Sequence, residues 1–369
     1  MRTSLLQRLD HWIANEYRLP AGALGLFRIF YSGYILFVVG APQFRWIARQ
    51  PALFFDPPTY SLAKLIGFIP SFYFFLTIDL TIVGLLGLLL FGFRTRLTSL
   101  LLGFIMLLGF SFYYSFGKIN HDTITMVITP LLMAFSGWGS YYSIDGARGQ
   151  PNSSPEIYWP VITLTLIIGF GMFSAGLPKL IEHGSIRDGW LNMHTQAVKG
   201  YAIIHHHSDL ASNFLAPVLL KYGEPFIWEF LDYVAVIFEI GFLFAAARKK
   251  WFQFFILITV FFHLMNGLLL SISFTNNIAL YLLFVNWAPL VVWFDKVSPK
   301  HIRFSAMILL TSGLMVAYAF YIPVNLTALL SQLGLTDLSS SLFVVVAACF
   351  YFGLNFLYGL RHQQFKVGP

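Results

Sequence analysis

Cysteine is almost absent from this chain: Cys349 is the single one in 369 residues. It lies inside an apolar run, so an intrachain disulfide, a cysteine-ligated iron–sulfur cluster and a thiolate zinc site are all excluded. Charge is scarce too. Only 11% of residues are charged, and although the net balance is +7, the basic residues are scattered through short connections rather than gathered in a stripe, which argues against a nucleic-acid partner. The chain also lacks a Walker loop, a dinucleotide glycine fingerprint, a nucleophile elbow and a zincin motif. Ordinary soluble-enzyme chemistry is disfavoured by these absences. No small-residue cleavage site follows the N-terminal stretch, in which apolar residues recur at helical spacing. Residues 1–20 therefore read as a retained interfacial helix.

What remains is strongly apolar. Hydrophobic residues make up 57% of the chain and its mean hydropathy is +0.72. A helix needs about 20 mostly apolar residues to cross a bilayer core, and this sequence supplies such a run about ten times. The expected fold class is an all-α, polytopic integral membrane bundle. Its expected spans are 21–40, 72–93, 97–116, 122–139, 157–176, 226–247, 251–270, 277–294, 303–323 and 340–360. Short connections argue for one transmembrane domain over 1–369 rather than several soluble ones. Placing both termini in the cytoplasm collects most Lys and Arg at the short inner turns, Arg94, Arg96, Arg248, Lys249 and Lys250 among them, as the positive-inside rule requires. Two long connections, 41–71 and 177–225, then lie outside. The second carries Trp190, Leu191, His194, Ala197, Val198 and Tyr201 at helical spacing and reads as amphipathic helix on the outer surface, able to roof a cavity. The stretch 147–156 is a hinge candidate.

Chemistry-bearing residues are few. Asn120 suits the N-cap of a helix opening at the outer face, which would set His121 where free backbone N–H groups stabilise a developing anion. The bland alternative is a cap beside an interfacial histidine. Lys179 follows Ser174-Ala175-Gly176-Leu177-Pro178 at the outward end of the fifth span. It either snorkels to water or, if buried as a neutral amine, acts as a general base. His263 and Asn266 share one face of the seventh span and either bind a ligand or tie helices together. Arg28, Asp79 and Glu239 lie inside spans, where mutual pairing is expected. His205, His206 and His207 diverge by about 100 degrees each on a helix and cannot converge on one ion, so no metal is expected.

Taken in order, Asn120-His121, Tyr141-Tyr142-Ser143-Ile144-Asp145-Gly146, Ala175-Gly176-Leu177-Pro178-Lys179-Leu180 and Phe262-His263-Leu264-Met265-Asn266 resemble the membrane portion of vitamin K-dependent gamma-carboxylase. The wider group is the horizontally transferred transmembrane domain family, and Leu26-Phe27-Arg28-Ile29 fits its first span. The likeness covers about residues 15–295. In the carboxylase, the resemblance implies, a lysine deprotonates a reduced quinone, whose oxygenation yields a base strong enough to take a proton from glutamate before carbon dioxide adds. Lys179 matches that lysine, Asn120 and His121 the assisting pair, and His263, with Asn266, a position near the quinone. A hydroquinone is a weak phenolic acid with a pKa of about 10, like tyrosine, so a desolvated amine beside an anion site suits it.

The implied cofactor is vitamin K or menaquinone hydroquinone, with oxygen and carbon dioxide as cosubstrates. The implied partners are the lipid bilayer, the quinone and a secreted or membrane peptide. The implied place is a bacterial cytoplasmic membrane, with the site facing the extracytoplasmic side. The chain departs from the carboxylase in lacking the large extracytoplasmic domain, and residues 296–369 are expected to add two spans instead. An accessory role, like that of the family's member in a bacterial sporulation-delaying toxin system, is the alternative to catalysis. A transporter is the third possibility, for which no internal repeat is visible.

Overall fold

A computed structural model describes residues 5–117, 121–147, 157–181, 215–270, 272, 274–297, 304–320, 324–333, 335 and 337–364. The protein is all-helical, with no strand among the described residues. Its principal helices are α1 (Leu5–Tyr17), α2 (Ala21–Tyr34), α3 (Phe72–Phe91), α4 (Thr95–Tyr113), α5 (His121–Met133) and α6 (Trp159–Ile181). The second half adds α7 (Pro225–Ala245), α8 (Lys249–Leu270), α9 (Thr275–Tyr281), α10 (Ala288–Val297), α11 (Phe304–Ala319) and α12 (Asp337–Gln364).

Among the described residues, six helical segments are long and apolar enough to cross a membrane: Ala21–Val39, Phe72–Phe91, Thr95–Phe116, Trp159–Ile181, Lys249–Leu270 and Ser340–Gly359. The chain is accordingly a membrane protein, but the expected count of about ten spans is not confirmed: the described residues supply six, or seven if one bent pair is a single span. The run at 277–294 breaks between α9 and α10 with a bend of 84°. Pro289 occupies the first turn of the new helix, where its missing N–H costs nothing. The run at 122–139 is helical only to Met133, and α11 has 16 residues. Helix α7 is long enough, yet Glu229, Asp232 and Glu239 interrupt its apolarity.

The chain divides into two compact units. The first comprises Met1–Val161, Asn276–Leu283 and Trp287–Gln332; the second comprises Ile162–Thr275, Phe284–Asn286 and Leu333–Pro369. Residues 296–369 thus contribute to both.

In the first unit α3 is central, packed by α2, α4 and α11. Glycine makes the approach possible: a Cβ on Gly87 would stand 2.7 Å from Thr311 Oγ1. Such contact through small residues is how helices associate where lipid removes the hydrophobic drive.

Polar groups inside this unit have specific partners. Arg28 is fully buried, and its five N–H groups meet five backbone carbonyls. Nε donates to Trp138 O at 3.1 Å, Nη1 to Leu89 O at 2.9 Å and Leu90 O at 3.4 Å, and Nη2 to Tyr141 O and Tyr142 O at 3.3 and 2.5 Å. Leu89 and Leu90 end α3, where free carbonyls carry the negative end of the dipole and attract a cation. Asp79 instead takes Arg45 as its ion-pair partner, at 3.0 Å, and also accepts from Phe44 N at 2.7 Å. Arg45 passes the contact on to Tyr318 O at the end of α11. The expected mutual pairing of Arg28, Asp79 and Glu239 is therefore wrong: each meets a different partner, because helix-end carbonyls and a loop arginine supply the compensation.

The Tyr141–Gly146 segment serves the same framework. Asp145 caps α4 by accepting from Arg94 N at 2.9 Å and Thr95 N at 2.7 Å. Within α5, Pro130 cannot donate to Met126 O, and Tyr31 Oη fills that vacancy at 2.7 Å.

Two substitutions test this framework. Gly92 has φ +67°, and a Cβ there would lie 2.0 Å from Arg28 Nη1. Gly92→Ala is expected to lower the melting temperature in detergent, at a cost of at least about 1–2 kcal/mol from the left-handed backbone alone. Arg28→Lys supplies three donors for five carbonyls and should recover only part of the stability lost in Arg28→Met. A lysine variant that melts with the wild type would contradict the assignment.

Candidate functional site

The second unit holds the most chemically capable cluster among the described residues, and its geometry begins with a glycine. Helix α6 meets α7 through Gly169 and Gly176, seven residues apart and so on one face. A Cβ on Gly176 would lie 2.8 Å from Glu239 Cβ, and one on Gly169 would lie 3.3 Å from Leu243 Cα. The partner numbers fall as the α6 numbers rise, so the helices run antiparallel.

Lys179 is three residues beyond Gly176, on the same face, and this close approach delivers it to Glu239. Its Nζ donates to both carboxylate oxygens, at 2.7 Å to Oε1 and 2.6 Å to Oε2. The lysine side chain keeps 21% of its exposure and the glutamate 7%, so the amine can be reached while the carboxylate is screened. Neither sequence expectation for Lys179, a snorkelling ammonium or an isolated neutral amine, describes this arrangement. The lysine sits in an ion pair with the glutamate one helix away.

His263 and Asn266, 3% and 9% exposed, share the inward face of α8 as expected. The imidazole packs on Phe274 with ring centroids 4.7 Å apart and on Phe262 at 6.3 Å. Leu180, next to Lys179, and Phe262, next to His263, both pack on the Ala235–Val236 patch of α7. The ion pair and the histidine therefore belong to one three-helix neighbourhood. His121 opens α5 in the other unit. Its side chain, all of Asn120, the stretch around Trp190 expected to be amphipathic helix and the triple histidine at 205–207 lie outside the described residues.

One acidic residue escaped the sequence reading. Asp232 is fully buried on α7, and residues 232, 235, 236 and 239 fall at i, i+3, i+4 and i+7, a single helix face. The seven-residue spacing of Asp232 and Glu239, which puts both acids on one face of α7, was the available signal. That face thus carries two buried carboxylates with a lysine against one of them, an arrangement able to hold, release and pass a proton. Among the described residues, no group of three or more His, Cys, Asp or Glu side chains is placed to hold a metal ion.

The glycine contact can be tested against an internal control. Gly176→Val should push α6 from α7 and lower the melting temperature, at about 1–3 kcal/mol for overpacking, whereas Gly171→Ala, which meets nothing within 4 Å, should not. Equal melting of both variants would show that the α6–α7 contact is not close. No protein-family model, curated protein or solved structure matches this chain, so the functional argument rests on its own residues and on the motif resemblance.

Proposed function

We propose that this protein is an integral membrane enzyme acting on a reduced isoprenoid quinone, of the kind that couples quinol oxygenation to carboxylation of glutamate or a related carbanion. The observation that carries the reading is the half-shielded Lys179–Glu239 ion pair at the end of an apolar helix. The residues fit a quinol: an amine accessible on one side, a carboxylate shielded behind it, and aromatic rings at Phe262 and Phe274 in the adjoining packing.

A bound quinol supplies a phenolic proton and the electrons for oxygenation. The chain's own part is proton handling. In this reading the Lys179–Glu239 pair is the acceptor of that phenolic proton, with the amine in front and the carboxylate hydrogen-bonded behind it. Glu239 also fixes the amine in direction, and Gly176 sets its depth. His263 and Asn266 border the quinone site in this reading. On the spans expected from the sequence, the distribution of Lys and Arg favours an extracytoplasmic site with both termini in the cytoplasm.

A second reading uses the same pair differently. Its bidentate geometry beside a glycine contact suits a clamp between α6 and α7, leaving the chain a noncatalytic accessory to a secreted peptide.

Purified protein given reduced menaquinone or vitamin K, oxygen and labelled bicarbonate separates these readings. The enzyme should consume quinol, and Lys179→Ala and Glu239→Gln should each lower turnover by at least about 100-fold, as expected for loss of a general base. Absence of turnover in the wild type, together with a stoichiometric peptide in pull-downs, would replace the enzyme with the accessory role.

A further inference from the structure

Away from the ion pair, the second unit contains a cleft of about 100 Å³ between the start of α8, the break at Phe284–Asn286 and the middle of α12. Its polar lining is Lys250, Gln253, Asn286 and Asn355, and its apolar wall includes Phe352 and Phe356. One cation and three amides face the cleft with no acidic residue in the lining. Lys250 is exposed and makes no ion pair among the described residues. The amides are held by the fold: Gln253 Nε2 donates to Phe284 O at 2.7 Å, while Asn355 accepts from Asn286 N at 2.7 Å and donates to Asn286 O at 3.1 Å.

The composition points to an anionic head with an apolar continuation. The cleft is small, with room for a phosphate and its first carbons and too little for acyl chains. Those chains have a surface to follow, because Phe254, which packs on the lining residue Phe356 with ring centroids 5.8 Å apart, is 37% exposed. Trp251, 60% exposed beside Lys250, marks the depth: tryptophan and lysine together occur where head groups meet hydrocarbon. A basic pocket between membrane helices at that level is suited to the phosphate of an acidic lipid. We propose that this cleft binds the phosphate head of an acidic phospholipid, with Lys250 as its counter-ion.

Full-length protein reconstituted in mixed vesicles of phosphatidylglycerol and phosphatidylcholine, then re-extracted in detergent, should retain phosphatidylglycerol in preference. Lys250→Gln should lower that retention about fivefold, the ratio for one cation at a membrane surface. Lys249→Gln, the same charge change off the cleft lining, should keep most of it. Equal retention in wild type and Lys250→Gln, an equal loss in Lys249→Gln, or phosphatidylcholine retained as well as phosphatidylglycerol would overturn the proposal. A melting temperature raised as much by inorganic phosphate in pure phosphatidylcholine as by phosphatidylglycerol would assign the cleft to a free anion and overturn the lipid.

Discussion

Five carbonyls closing around one guanidinium hold the first unit together. Deep in a helical bundle there is no water to accept the N–H groups of Arg28 or to donate to the end of α3, and each unsatisfied group would cost several kcal/mol. The two shortages cancel. That cancellation fixes α2 against the end of α3 and the turn at 138–142, and it explains why Gly92 has no side chain and why Tyr142 accepts a φ of +50°. The same economy recurs where Asp79 meets Arg45 and where Tyr31 takes the carbonyl that Pro130 leaves open.

Much of the architecture was legible because its signal is local. Runs such as 72–93 and 251–270 are long and predominantly apolar, and the structure returns them as helices over nearly those residues. The inward burial of His263 and Asn266 followed from a spacing of three. The errors have a common cause. Partners for Arg28 are backbone groups 61 to 114 residues away, and a carbonyl has no residue letter to announce it. The break near Asn286 was signalled by Pro289, but the apolar residues around it read as one continuous span.

At the candidate site, the resemblance directed attention to Lys179, and its neighbour Gly176 proved to be the reason the lysine lies where it does. The partner could not be read from the motif, since Glu239 sits 60 residues on in a different helix. Motif and partner make one unit, because the glutamate holds the amine through both of its carboxylate oxygens. The Tyr141–Gly146 motif, by contrast, resolves into framework: carbonyls for Arg28 and a carboxylate cap for α4.

Asn355 reaches back 69 residues to bond both the N–H and the carbonyl of Asn286. During synthesis, the kinked segment must emerge from the ribosome and enter the insertion machinery well before its complement on the last helix exists. Until that helix arrives, the kink has to be sheltered by water, by a chaperone or by the translocon wall. The closing step of biogenesis is thereby assigned to the C-terminal helix, without which the N–H and carbonyl of Asn286 lose this partner.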